Sequence, residues 1–206
     1  MNEPVQQQRE GADPRLRAFL SDLGTLVSSG SGSGVVHAVK DRLARFLHEK
    51  PDLPATCVSA RSDCYARHLL YRDPQGRFEV VVMAWGPGQA TPVHDHAGIW
   101  CVEGVFTGVI DVTRYDITES LADDVVRLAQ LEVIHAGLGE CGALIPPVEY
   151  HRIANPYESM AITVHVYGGM MRACRTFTPR DGQTWDVTQH ELGFSSPQPA
   201  IAPLTS

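Results

Sequence analysis

The first quarter of the chain repeats its apolar positions with the period of an α-helix. Across residues 14–27 the apolar side chains recur at intervals of three and four, with a proline at the first position. The same spacing returns across 35–47, after a Ser- and Gly-rich break at 28–34. The pattern predicts two amphipathic helices joined by a flexible connection.

Beyond about residue 63 the pattern changes to short β-rich runs separated by turn-forming residues. Runs at this spacing predict a β-sandwich or a small barrel rather than alternating strands and helices. The runs cover 64–72, 77–85, 91–96, 100–115, 125–134, 142–153 and 160–168. The chain then divides into a disordered lead at 1–13, a helical segment at 14–62 packed on the β domain, a barrel at 63–190, and a loose Pro- and Ser-rich tail at 191–206.

Composition narrows the class of protein. The 206 residues are 43% hydrophobic and 20% charged, with a formal net charge of −7, and no stretch gathers the Lys and Arg that phosphate binding needs. No apolar run approaches the length of a membrane span. The five cysteines form no C-x-x-C pair, which favours reduced thiols over a disulfide framework. We expect a cytoplasmic globular protein without nucleic-acid or membrane partners, present as a monomer or a small homo-oligomer.

The segment TPVHDHAGIWCVEG at 91–104 carries the candidate metal chemistry. In a strand His94 and His96 share one face, so both imidazoles can reach one ion, while Asp95 points away towards solvent or loop hydrogen bonds. His151 and His165 are both plausible third ligands, and the spacing does not choose between them. Three imidazoles without a carboxylate leave Fe(II), Zn, Cu, Ni and Mn open. The alternative is a polar surface strand that happens to carry histidines.

A second polar pattern lies in the run at 160–168. Thr163, His165 and Tyr167 alternate with valines, so three polar groups line one face of the predicted strand. Inside a barrel they would form a hydrogen-bonded relay that ends in a phenol, whereas on the surface they would simply face water. Taken alone, Cys101 is expected to be a small buried apolar side chain, and Arg67 is expected to be a surface charge.

Together these residues resemble the cysteine dioxygenase family, thiol dioxygenases of the cupin superfamily, and some features are similar to its bacterial members. The first cupin signature, G-x5-H-x-H followed by Glu and x6-G, is matched by Gly88, His94, His96 and Gly108. Cys101 stands at the position of the signature's Glu, as it does in the animal enzymes of the family.

Two further motifs extend the resemblance over about residues 64–177. The second cupin signature ends in H-x3-N, matched by His151 and Asn155, and the family's Y-x-R-x-L motif is matched by Tyr65, Arg67 and Leu69. The resemblance implies a mainly β fold, a cupin jelly-roll barrel with two N-terminal α-helices. It also implies an Fe(II) cofactor with His151 as the third ligand. The implied site residues are His94, His96 and His151 for the metal, Arg67 and Tyr65 for the substrate carboxylate, and Thr163, His165, Tyr167 and Cys101 for catalysis.

The implied reaction is the oxidation of a small carboxylate-bearing thiol by O₂ to its sulfinic acid. Relatives with Arg at the position of Arg67 tend to use cysteine, and those with Gln tend to use 3-mercaptopropionate, so L-cysteine is the first expectation. Mercaptosuccinate stays open because Arg172 or Arg175 could meet a second carboxylate. Outside this class, a cupin isomerase or decarboxylase would normally keep the missing acidic ligand, and a non-catalytic ligand-binding cupin would need no relay.

Overall fold

The computed structural model describes residues 12–147, 149–196 and 198–204, and it is mainly β with two N-terminal helices, as predicted. The first eleven residues of the predicted disordered lead lie outside the described residues. The helices are α1 (Pro14–Ser29) and α2 (Ser33–His48), and the strands are β1 (Ala66–Arg72), β2 (Glu79–Trp85), β3 (Val93–His94), β4 (Cys101–Thr107), β5 (Val109–Ala122), β6 (Val125–Gly137), β7 (Cys141–Leu144), β8 (His151–Ala154), β9 (Ala161–Tyr167), β10 (Ala173–Asp181) and β11 (Thr184–Glu191).

Helix α1 begins where the sequence predicts, because Asp13 caps it. The Asp13 carboxylate accepts a hydrogen bond from the backbone N–H of Arg15 at 2.8 Å, and Pro14 occupies the first turn, where no N–H is required. The predicted break at 28–34 is shorter than expected. Ser28 and Ser29 continue the helix, and their hydroxyls bond to carbonyls one turn back.

The eleven strands form two antiparallel arrangements. Strands β1, β2, β9, β4 and β7 form a five-stranded sheet in the order β1-β2-β9-β4-β7. The remaining six pair in the order β10-β11-β6-β5-β8-β3 and close into a barrel through the β3–β10 pair. The fold class predicted from the sequence, a cupin barrel with two helices, is confirmed.

The five-stranded sheet is buried on both faces. On one face Leu70, Val82, Val102 and Val164 belong to the same apolar cluster as the buried residues of the two helices. On the other face their neighbours Leu69, Val81 and Cys101 form a second cluster inside the barrel. Burial on both faces explains the continuous apolar run VVVMAW that follows Glu79 in β2, a strand in which every residue is buried.

Strands β10 and β11 were not among the runs predicted from the sequence, although both fall within the predicted barrel range. More than half of the residues of β10 are exposed, and β11 has only intermediate and exposed positions. Without a buried stripe, the period-two signal that marks a strand is weak. Their pairing with each other and with β3 and β6 makes them strands.

The C-terminal segment is not the loose tail that its composition suggested. The backbone N–H groups of Ser195, Ala200 and Ile201 donate to carbonyls of β1, at Arg67, Leu69 and Leu70. The Ile201 side chain is buried with the helix cluster. Proline and serine are compatible with this path because the segment runs along β1 through intermittent bonds rather than a continuous ladder.

Within the described ranges, no helix is long and apolar enough to cross a membrane.

We expect the Asp13→Ala variant to lose about 1–2 kcal/mol of unfolding free energy in urea denaturation. The side chain is shielded and also accepts from the backbone N–H of Asp52 at 2.8 Å, so it ties the start of α1 to the segment after α2. Asp13→Asn is the matched control, because its amide oxygen can still cap the helix. A loss of equal size in both variants would contradict the capping role.

Asp13 also makes the stability of the fold depend on pH. Hydrogen bonds from the Arg15 guanidinium hold the pKa of Asp13 below its ordinary value of 3.8. A lowered pKa in the folded state contributes stability that is complete above about pH 5 and is lost as the pH falls through the acid range. The stability of Asp13→Asn should therefore fall less steeply below about pH 4 than that of the parent protein.

Candidate metal centre

Three histidine side chains meet inside the barrel. His94 in β3 lies directly opposite His151 in β8 in the antiparallel register, and their ring centroids are 4.5 Å apart. The His96 ring completes the group, with centroid distances of 5.4 Å to His94 and 4.9 Å to His151. One ring nitrogen from each residue lies within 4.8 Å of the other two. The structure thus brings together the three residues that the sequence proposed as ligands.

His96 reaches this group by a turn and not by strand alternation. Strand β3 ends at His94, so His96 lies beyond the strand. The prediction that the two histidines share one strand face therefore does not apply to His96. The backbone N–H of His96 donates to Glu149 Oε2 at 3.3 Å, and Ala97 follows with a φ of 52°. The hydrogen bond and this backbone conformation fix the turn that directs the His96 ring towards His94 and His151.

Asp95 is buried, so of the two roles that the sequence suggested for it, solvent exposure and loop hydrogen bonding, the structure shows the second. Its carboxylate accepts from the backbone N–H of Ala97 at 3.2 Å and from the backbone N–H and Nε of Arg175 at 2.8 and 2.6 Å. Asp95 therefore ties the turn after β3 to strand β10, and it lies outside the three-histidine group.

The protonation of the group suits a metal ion. Burial lowers the pKa of His94 below its ordinary value and lowers the pKa of His96 and His151 further, so all three rings are neutral at pH 7. The Nδ1 atom of His94 lies 3.1 Å from the carbonyl oxygen of Pro92, and that of His151 lies 3.1 Å from the carbonyl oxygen of Glu149. Each contact assigns the ring proton to Nδ1 and leaves Nε2 with a free lone pair.

The buried Nε2 of His151 has no hydrogen-bond partner in the described part of the chain. A buried polar atom of this kind costs free energy unless something binds it. Neutral imidazoles with convergent lone pairs are the form in which histidine binds divalent transition metals. The residues present therefore fit a mononuclear metal ion.

His165 lies beside this group and belongs to a separate hydrogen-bonded chain. Its Nε2 is 2.7 Å from Thr163 Oγ1, which accepts from Trp85 Nε1 at 2.9 Å. Its Nδ1 is 3.3 Å from Glu103 Oε2. All three members of the predicted relay, Thr163, His165 and Tyr167, are buried, so the polar face of β9 lines the barrel interior and not the surface.

Tyr167 continues the same face of β9, but no hydrogen bond in the described structure joins it to His165, so the relay predicted to end in this phenol stops at His165. The two rings stack with centroids 6.1 Å apart, and the Tyr167 ring meets His96 edge-on at 5.6 Å. Cys101 lies directly opposite Tyr167 on the neighbouring strand β4. Burial raises the pKa of Tyr167 and Cys101 well above their ordinary values, so both groups keep their protons at neutral pH.

A cavity of about 190 Å³ opens onto the three histidines. Arg67 and Tyr65, the predicted substrate-binding pair, line it together with His165 and Tyr167. Arg67 is almost buried, and the C-terminal segment holds it. Its Nη1 donates to the carbonyl of Gly193 at 2.9 Å, and its guanidinium lies 5.1 Å from the centroid of the Phe194 ring.

The two other candidate arginines do not line this cavity. Arg175 is paired with Asp95 at 2.6 Å, and Arg172 is half-exposed at 3.7 Å from Glu79. Of the three arginines considered from the sequence, Arg67 alone lines the cavity.

Sequence reasoning assigned no role to Glu103, which is buried beside the candidate centre. Burial alone would raise its pKa, but the imidazoles of His151 and His165 outweigh that effect and lower it to about 2. A signal was present, because residues 101 and 103 alternate on β4 and therefore share its inner face. Cys174 and His190 also line the cavity and were not predicted there.

A barrel of this topology with converging histidines on its inner wall defines the cupin class. The sequence profile of the family described as "Cysteine dioxygenase type I" matches residues 58–180, more than half of the chain. The protein belongs to the cysteine dioxygenase type I family.

Among curated proteins the chain is similar to cysteine dioxygenase type 1 of Rattus norvegicus, with 22% identity over 125 residues, 60% of each chain. The enzyme of the same name from Danio rerio is 24% identical over 119 residues, 57% of this chain and 58% of the relative. The match thus spans about 60% of the length of these relatives. A Klebsiella pneumoniae protein with a double-stranded β-helix domain aligns with a TM-score of 0.44 and 18% identity, over 55% of this chain and 80% of that protein.

We expect the metal-free protein to bind one divalent transition metal per chain, measured by elemental analysis after gel filtration. Metal at 100 times its Kd should stabilise the fold by about 2.7 kcal/mol. His151→Ala should abolish both effects, because it removes one of three ligands. His135→Ala is the matched control, since His135 is exposed and pairs with Asp111. Equal metal content in the two variants would contradict the assigned site.

Proposed function

We propose that this protein is an iron-dependent thiol dioxygenase that converts a small carboxylate-bearing thiol, L-cysteine by first choice, and O₂ to the sulfinic acid. The observation that carries the proposal is the convergence of three neutral imidazoles on a small cavity that also contains one buried arginine. Membership in the cysteine dioxygenase family supports it. The reaction balances as R–S⁻ + O₂ → R–SO₂⁻, with both oxygen atoms transferred to sulfur.

His94, His96 and His151 would hold Fe(II) through one ring nitrogen each. Three protein ligands without a carboxylate leave coordination positions open, as a catalytic site requires. Bound Fe(II) would supply the oxygen chemistry and stabilise the substrate as a thiolate. The imidazoles need not lose protons to bind the ion, because burial already lowers the pKa of each ring.

Arg67 would bind the substrate carboxylate. One of its Nη atoms is used by Gly193, so Nε and the other Nη remain to meet a carboxylate in two parallel hydrogen bonds. Arg67 lines the cavity together with Tyr65 and Tyr167, so the carboxylate would bind within the same cavity. Because Arg172 and Arg175 lie outside the cavity lining, a monocarboxylate such as cysteine fits better than mercaptosuccinate.

Tyr167 would act as a hydrogen-bond donor to bound substrate or oxygen. Its raised pKa keeps the phenol protonated, and its ring is held between Cys101 across the strand pair and His96 at its edge. Thr163 and His165 would support Tyr167 indirectly, because the hydrogen bond between them fixes the polar face of β9 on which Tyr167 lies. Tyr65 stacks on Trp85 with centroids 4.8 Å apart, which holds that wall of the cavity.

Cysteine and 3-mercaptopropionate differ by one amino group, and both satisfy the Arg67 argument. L-cysteine leads because relatives of this family with Arg at this position tend to use it. A cytoplasmic location is part of the proposal, and the five free cysteines of the structure agree with a reducing compartment.

The test is O₂ uptake by the Fe(II)-loaded protein with L-cysteine, 3-mercaptopropionate, mercaptosuccinate and cysteamine. We expect one O₂ consumed per L-cysteine oxidised and a mass gain of two oxygen atoms in the product. Preference for 3-mercaptopropionate would keep the reaction and change the substrate. No O₂ uptake with any thiol at full iron occupancy would overturn the proposal in favour of a non-catalytic ligand-binding cupin.

Arg67→Gln should raise KM for L-cysteine by roughly 10- to 150-fold, because a charge-assisted hydrogen bond contributes about 1.5–3 kcal/mol. Activity towards cysteamine, which lacks a carboxylate, should change little. Arg172→Gln is the matched control outside the cavity lining and should leave KM unchanged. An unaltered KM in Arg67→Gln would remove Arg67 from substrate binding.

A further inference from the structure

Glu103 is a buried carboxylate on the inner face of β4, and nothing in the proposed reaction uses it. Its side chain is 7% exposed, and it lies directly opposite His165 in the β4–β9 register. Among the described residues its carboxylate lies close to two imidazoles, 3.3 Å from His165 Nδ1 and 3.8 Å from His151 Nε2. A carboxylate in such a place must be compensated by something that the barrel provides or binds.

The hydrogen-bonded chain through β9 sets the tautomer of the imidazole that lies beside Glu103. Trp85 Nε1 can only donate, so Thr163 Oγ1 accepts from it and directs its own proton to His165 Nε2. His165 Nε2 is then an acceptor, and the ring proton sits on Nδ1. Nδ1 lies 3.3 Å from Glu103 Oε2, but neither atom has a hydrogen-bond partner among the described residues. The carboxylate is therefore a close neighbour of His165 that is not hydrogen-bonded to it.

The second contact of the same oxygen faces the metal centre. Glu103 Oε2 lies 3.8 Å from His151 Nε2, which is the nitrogen left free for a metal, and neither atom has a hydrogen-bond partner in the described ranges. Two lone-pair donors facing each other in a buried site repel unless a cation or a proton lies near them. A divalent ion on His151 would place positive charge against the carboxylate.

The carboxylate stands beside the three-histidine group and does not belong to it. Its oxygen, His165 and Cys101 form a second set whose ligand atoms lie within 4.8 Å of one another, separate from the set of His94, His96 and His151. The geometry therefore favours an electrostatic partner over a fourth ligand.

We propose that Glu103 is a charge-balancing residue of the metal centre, which lies beside His151 and strengthens the binding of a divalent cation by the three histidines. The inference rests on the proposed metal site. It adds a buried negative charge to a centre whose ligands are all neutral. Partners that orient or charge-balance metal ligands from just outside the coordination sphere typically change metal affinity by 10- to 100-fold.

The experiment compares Glu103→Gln, Glu103→Leu and Asp73→Asn with the parent protein. Gln keeps the size of the side chain and one of its oxygens, and it removes only the charge. Leu removes both. Asp73→Asn is the matched control, because Asp73 is an equally buried carboxylate, paired with Arg77 in the β1–β2 turn. Each metal-free protein is titrated with Co(II) against a competing chelator, and its thermal unfolding is followed with and without saturating Co(II).

We expect Glu103→Gln to weaken Co(II) binding by 10- to 100-fold and Asp73→Asn to leave it unchanged. The thermal unfolding temperatures give an independent test. Without metal, Glu103→Gln should unfold at the same or a higher temperature, because it removes a buried charge, and with metal it should gain less than the parent protein. Glu103→Leu should weaken Co(II) binding by a similar factor, because it removes the same charge.

Equal Co(II) affinity in the parent protein and Glu103→Gln would overturn the inference. A loss beyond 1,000-fold, with loss of one coordinating atom in the Co(II) spectrum, would also overturn it, because it would mark Glu103 as a direct ligand. If the parent protein itself binds no divalent metal, the proposed function fails first, and that result is separable because it precedes any comparison of variants.

Discussion

The rest of the structure depends on one constraint, that the five-stranded sheet is buried on both faces. Helices α1 and α2 cover one face, and the closed six-strand arrangement covers the other. Strands β4 and β9 cannot expose their polar side chains to water, so each polar group on their inner face needs a partner inside the barrel. Thr163, His165 and Trp85 satisfy part of this need among themselves, and the inner atoms left without a hydrogen-bond partner in the described residues include His151 Nε2, His165 Nδ1 and Glu103 Oε2.

This burial also sets the electrostatics of the candidate centre. A low-dielectric interior keeps the three imidazoles neutral and the Tyr167 phenol protonated, while the pKa of Glu103 lies below its ordinary value although burial alone would raise it. Metal binding, orientation of the substrate and negative charge are therefore provided by different residues. The cavity wall adds Arg67, which is held by backbone and aromatic contacts from the C-terminal segment, so a part of the chain that looks dispensable in sequence shapes the substrate side of the site.

Much of the fold was predictable because its signals are local. The helices follow from three- and four-residue spacing, and seven stretches of strand follow from short apolar runs between turns. Strands β10 and β11 escaped prediction because they are half-exposed and carry no apolar stripe, and the C-terminal segment escaped because hydrogen bonds to a distant strand leave no trace in composition. The turn that brings His96 to the site was missed for a related reason, since Glu149 and Arg175 hold it from other strands.

The sequence by itself determined the residue types of the site: H-x-H, the later histidines, and the alternation of Thr163, His165 and Tyr167. These follow from side-chain chemistry and from the period of a strand. Only the tertiary structure decided which groups meet. It pairs His94 with His151, directs Arg175 to Asp95 instead of the cavity, and sets Glu103 against His165. Register between strands far apart in sequence makes those choices, because it depends on the packing of the whole barrel and not on any one segment.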